Sequence, residues 1–99
     1  MGNIISVRVR VGGDDGLVLK LKGRVAWAVS NLIAAGESGC TPITHVGPRW
    51  SDYVLKARRQ GLDIETIHEA HSGPYAGHHA RYVLRSPIEV IEREVASNG

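Results

Sequence analysis

The chain predicts an α+β domain with a β-hairpin at each end of a helical middle, and three observations carry that expectation. "IISVRVRV" and "LVLKLK" alternate apolar and polar residues around "GGDDG", the period of half-buried strands joined by a turn. From Arg24 to Arg59 the apolar spacing changes to the i, i+3, i+4, i+7 of helices. From Leu62 to Arg85 β-branched residues return on both sides of a glycine- and proline-containing loop.

The first hairpin has one apolar and one basic face. Val7, Val9 and Val11 oppose Arg8 and Arg10, and Leu17, Leu19 and Leu21 oppose Lys20 and Lys22. A helix follows from Arg24 to Ala35, with Val25, Val29, Leu32 and Ile33 on its buried stripe and Gly36 as its stop. Trp27 lies off that stripe and is a candidate for the core edge or for a partner surface. "ESGC" is a short link that can hold one strand. "TPITHVGP" predicts a short helix, capped by Thr41, begun by Pro42 and closed by Gly47 and Pro48.

"PRWSDYVLKARRQG" predicts a third helix. Trp50, Tyr53, Val54 and Ala57 share one face, while Ser51, Asp52, Lys56, Arg58 and Arg59 lie away from it. Leu55 also points outward, which simple amphipathic spacing does not explain. "LDIETIHE" and "HARYVLR" form the strands of a second hairpin around "AHSGPYAGH". In "SPIEVIEREV", Ser86, Pro87 and Glu89 match a capping box, so a terminal helix bearing Ile88, Ile91 and Val95 is expected; a last strand is the competing reading.

Helix, short helix, turn, basic amphipathic helix and hairpin is the order of a winged helix-turn-helix. The expected architecture is a three-helix core plus a C-terminal β-hairpin wing, with an extra N-terminal β-hairpin. It divides into residues 1–22, a hairpin packed on the domain or on a neighbour; 23–86, the winged helix-turn-helix domain; and 87–99, an acidic C-terminal helix or strand and tail. In such a domain the outward face of the third helix is free to enter the major groove of DNA.

The pieces "GCTPI", "GPRWSDYV", "GLDIET" and "HARYVL" lie within residues 24–84, and that stretch resembles small bacterial winged-helix proteins carried near phages and integrative elements. The resemblance implies a DNA-binding winged helix acting as a transcription regulator or as an excisionase-like recombination directionality factor of a mobile element. Residues 1–20 and 86–99 lie outside it.

The candidate DNA-binding residues are Thr41 and Thr44 on the short helix, and Arg49, Trp50, Ser51, Asp52, Lys56, Arg58 and Arg59 on the third. His71, Ser72, Tyr75, His78 and Arg81 are the candidates on the wing. Arginine and lysine reach base edges or phosphates, and a helix start favours an anion. Each has a plainer alternative. The basic face can be a solvated surface with Asp52 paired to Lys56, Thr41 can be a simple cap, and the wing tip can be a solvated loop. The spacing of Trp50 with Tyr53 favours packing in the core.

Four of the chain's five histidines, His68, His71, His78 and His79, crowd the second hairpin. Zinc needs three or four converging ligands. Adjacent strand positions point to opposite faces, so His78 and His79 do not readily share an ion. No metal, cofactor or catalytic group is expected, and the protein is read as having no enzymatic activity. Cys40 is the single cysteine; a buried thiol fits better than a nucleophile or redox switch.

The chain's 99 residues suit one domain, and hydrophobic and charged contents of 42% and 22% are ordinary for a globular protein. Net charge is +2, but residues 1–24 and 49–59 are basic while the tail from Ser86 is acidic. That distribution suggests double-stranded DNA as partner, and self-association as a dimer or head-to-tail array on DNA. No signal peptide or membrane span is read in the sequence, and a cytoplasmic, nucleoid-associated protein is expected. The rival function is a protein–protein interaction module on a winged-helix scaffold, with edge strands capturing a peptide.

Overall fold

A computed structural model describes residues 4–45, 49–71 and 77–95, with the side chains of His71 and His78 outside that description. The element order is β1 (Ile4–Val11), β2 (Leu17–Lys22), α1 (Gly23–Ala35), a single 3₁₀ turn (Gly36–Ser38), α2 (Trp50–Arg59), β3 (Ile64–His71), β4 (Gly77–Leu84) and β5 (Ile88–Val95). Both hairpins and both long helices fall where the periodicity places them.

β1 and β2 pair antiparallel, with Val7 opposite Leu21 and Val9 opposite Leu19. Val7, Val9 and Leu21 are fully buried and join Val29 and Leu32 of α1 in the core. The hairpin therefore packs on its own domain, as an isolated two-stranded ribbon must find cover. β2 passes into α1 without a loop because Gly23 has φ of 59°, a left-handed turn that glycine accepts without steric cost. The buried face of α1 is wider than the predicted stripe and includes Ala26, Ala28 and Ser30, because the helix packs against both β1 and α2.

Two expectations are corrected. The three-helix core is not found: α1 and α2 are the α-helices among the described residues, and 42–45 form a turn while 46–48 lie outside the description. The physical reason is length. Thr41 Oγ1 accepts the amides of Ile43 and Thr44 at 3.1 and 3.0 Å, and the His45 amide closes one turn onto Thr41 O at 2.9 Å. These bonds cap and close a single turn, but Gly47 and Pro48 follow in the sequence too soon to repay helix nucleation.

The terminal helix is the second correction. Residues 88–95 form β5, which adds to β1 and gives a three-stranded sheet of order β2-β1-β5. Ile88 faces Val11 and Val90 faces Val9. Ser86 does not cap a helix; its Oγ accepts the amide of Asp63 at 2.7 Å. The acidic tail meets the basic hairpin within the same chain, through an Arg10–Glu89 ion pair of 2.7 Å. An exposed pair of this kind contributes only ~0.2–1 kcal/mol, so the ladder and Ile88 contribute more to holding β5.

β3 and β4 form a separate antiparallel pair, extended by a bridge between Cys40 and Tyr82. The single strand position expected in "ESGC" is thus Cys40. Gly39 makes it possible: its φ is 68°, and a Cβ there would lie 2.5 Å from Tyr82 O. No helix among the described residues is long and apolar enough to cross a membrane.

Candidate nucleic-acid interface

α2 is locked into the core by one face. Trp50, Tyr53, Val54 and Ala57 are buried. Trp50 stacks on Tyr82 of β4 at 6.0 Å between centroids and packs against Trp27 of α1 at 5.3 Å. Its indole N–H donates to His45 O, tying the helix to the preceding turn. Trp50 is only 2% exposed, so its place among the DNA-contact candidates gives way to packing. Trp27 resolves the same way, as the half-buried edge of this aromatic cluster. The Arg24 guanidinium lies 4.2 Å over its ring and its Nε donates to Tyr53 Oη at 3.3 Å.

The other face of α2 is open. Arg49, Ser51, Leu55, Lys56, Arg58 and Arg59 are exposed. Asp52 and Lys56 form an i,i+4 pair of 3.1 Å, and Asp52 in the first turn also complements the helix dipole. Among the described residues, Arg49 and Arg59 have no ion-pair partner. Arg58 differs. Its Nε and Nη2 both donate to Ile64 O, and Nη2 also reaches Thr66 Oγ1 at 2.8 Å. That fork holds the C-terminal end of α2 against β3 and so sets the angle between helix and wing.

The start of the turn before α2 is closed to a phosphate at Thr41. That side chain is buried, and its hydroxyl caps the turn. Thr44 is exposed, with Oγ1 3.0 Å from His45 Nδ1.

On the wing, Glu69 Oε1 lies 3.0 Å from His79 Nε2 and Glu69 Oε2 accepts from Arg81 Nε at 2.8 Å. Arg81 Nη1 also donates to Ser38 O at 2.6 Å. Glu69 and His79 are directly opposed in the register, and Arg81 follows two positions along β4. Hydrogen bonding to Arg81, and secondarily to His79, holds the Glu69 carboxyl below the usual carboxylate range. Nearer the base, Arg85 and Glu65 pair at 2.8 Å. Arg81 is thus a brace between wing and core as well as a candidate contact.

Ser72 and Tyr75 lie outside the described residues, as do the side chains of His71 and His78. Among the described residues no group of three or more histidine, cysteine, aspartate or glutamate side chains is placed to hold a metal. Cys40 is fully buried and its thiol is pushed up to about 11 by that burial, which keeps it protonated and unreactive at neutral pH.

Two residues were not recognised as site candidates from spacing. Leu55 is 44% exposed on the basic face, and its only sequence signal was being apolar at a polar phase of the helix. Glu69 gave no signal, because its partners depend on the register across a loop.

No curated protein and no solved structure matches the chain significantly. The family profile described as Winged helix domain matches residues 18–94, from β2 through the wing to β5. With the helix-and-wing geometry in place over that span, the chain belongs to the winged helix domain family.

Proposed function

We propose that this chain is a double-stranded DNA-binding regulator, with α2 in the major groove and the wing on the backbone or minor groove. The observation that carries the reading is the two-sided character of α2. Its buried aromatic face fixes the helix, and its open face presents Arg49 and Arg59, which have no ion-pair partner among the described residues. A fixed helix fits the groove. Arginine binds guanine through two parallel hydrogen bonds, and an exposed leucine such as Leu55 suits a thymine methyl group. Ser51, Asp52 and Lys56 complete that face. Arg58 and Arg81 position helix and wing.

The resemblance to proteins of phages and integrative elements supports a narrower role, as a transcription regulator or excisionase-like directionality factor in the cytoplasm near the nucleoid. Self-association as a dimer or array belongs to the same proposal.

The test is a mobility-shift titration on duplexes from the gene's own neighbourhood, across a salt series. Binding weakens steeply with salt, and Arg49→Ala and Arg59→Ala each weaken it with circular dichroism unchanged. Removing an arginine that reads a base costs ~1–3 kcal/mol, and removing one that meets a phosphate lowers the salt slope by about one. Unaltered affinity in both variants overturns the recognition-helix assignment. Failure to shift any duplex favours the protein-interaction reading.

A further inference from the structure

Among the described residues the three-stranded sheet has two free edges, β2 and β5. A free edge is a row of unpaired N–H and C=O groups, and proteins commonly guard such edges with charge. Here the two guards are of opposite sign. The register places Lys22, Ser6 and Glu94 on one rung, Lys20, Arg8 and Glu92 on the next, and Val18, Arg10 and Glu89 on a third. Residues on these rungs share the outer face of the sheet. The β2 edge therefore presents Lys20 and Lys22, and the β5 edge presents Glu92 and Glu94. None of those four has an ion-pair partner among the described residues.

The inner face matches at two of its three rungs. Its rungs are Leu21–Val7–Arg93, Leu19–Val9–Val90 and Leu17–Val11–Ile88. Leu17 is 64% exposed at one edge and Val90 is 36% exposed at the other.

These patterns discriminate between ways of joining two copies. A twofold join of β5 to β5 sets glutamates against glutamates, or, with one copy turned over, sets them beside Val90. A twofold join of β2 to β2 does the same with lysines and leucines. Of these joins, β5 against β2 brings opposite charges together on one face, at the Lys22/Glu94 and Lys20/Glu92 rungs, and apolar groups together on the other, at the Leu19/Val90 and Leu17/Ile88 rungs. Like charges directly opposite are destabilising and unlike charges stabilising.

We propose that β5 of one copy pairs with β2 of the next, so that the sheet continues from copy to copy. β2 and β5 both run antiparallel to β1, so copies in the same orientation join through a parallel ladder. Such a join is heterologous and does not close on itself, which makes the product an open head-to-tail array. The register shift at Ile91, where β5 carries one extra residue between the partners of Arg8 and Val9, shortens the flat part of the edge. Association is therefore weak and rises with concentration. The proposal gives an interface to the self-association named above and holds whether or not the chain binds DNA.

The test is sedimentation velocity of the full chain without DNA, over a concentration series at low ionic strength. Three proteins are compared: the wild type, Lys20→Glu/Lys22→Glu and Glu92→Lys/Glu94→Lys, with circular dichroism checking each fold. The wild type grows past the dimer, each reversed variant alone stays monomeric, and an equimolar mixture of the two grows again, because each then offers the other an opposite edge. A wild type that stays monomeric or stops at a dimer overturns the proposal. So does a reversed variant that assembles as the wild type does, or a mixture of folded variants that does not recover. Should a variant fail to fold, a salt titration of the wild type decides: loss of assembly at high salt supports the join, and salt-independent assembly overturns it. Loss of DNA binding in the mobility-shift assay leaves this result untouched.

Discussion

Trp50 and Tyr82 stack with their ring planes 17° apart and centroids at 6.0 Å, joining the first residue of α2 to the inner end of the wing. Tyr82 also pairs its backbone with Cys40, by bonds of 2.9 and 2.8 Å. One contact thus ties α2, the wing and the bridge residue Cys40 together. Trp50→Ala leaves a cavity there and removes the bond to His45 O, and is expected to cost ~3–5 kcal/mol, measured by denaturant unfolding. A cost under ~1 kcal/mol contradicts the packing described for this residue.

Arg58 separates positioning from contact. Arg58→Lys keeps the charge and loses the planar fork to Ile64 O and Thr66 Oγ1. Stability is expected to fall by about 1 kcal/mol, and DNA affinity to fall with the salt slope preserved. Arg58→Lys indistinguishable from wild type in both unfolding and DNA titration removes the brace role.

Glu69 makes the wing acid-sensitive. Its carboxyl titrates below its ordinary value because of the Arg81 hydrogen bond, with His79 adding to the effect. A depressed folded-state pKa stabilises above the unfolded value of about 4.3, and that contribution is lost as pH falls through the folded value. Protection of the β3–β4 amides, taken relative to their intrinsic exchange rate at each pH, is therefore expected to fall on acidification through this range, and Glu69→Gln to remove that part of the acid response. An unchanged response in Glu69→Gln contradicts the assignment.

Gly39 is required by geometry. A left-handed φ of 68° and a Cβ only 2.5 Å from Tyr82 O leave no room for a side chain. Gly39→Ala is expected to destabilise by more than ~1 kcal/mol and to weaken the Cys40–Tyr82 bridge, visible as faster exchange of those two amides. An unchanged melting temperature contradicts it.

Apolar spacing by itself was enough to place both hairpins, α1 and α2, and to separate the Trp50, Tyr53, Val54 and Ala57 face of α2 from its basic one. Each of these depends on a period of two or 3.6 within one segment, and burial of one face enforces that period. The fate of residues 86–95 could not be read that way. Ser86, Pro87 and Glu89 satisfy a helix start, and Ile88, Ile91 and Val95 suit a helix face as well as a strand. The decision came from the open edge of β1, where Glu89 meets Arg10 across 79 positions of sequence. The Thr41 turn is capped as a helix start but stays a single turn, because Gly47 and Pro48 leave too few residues to extend it. The histidine-rich hairpin changed most. Its strands were legible, but the Glu69–His79–Arg81 arrangement exists only once β3 and β4 are in register and Arg81 reaches Ser38. Local period dictated which residues turn inward; which inward and edge groups meet was decided by packing between segments far apart in the chain.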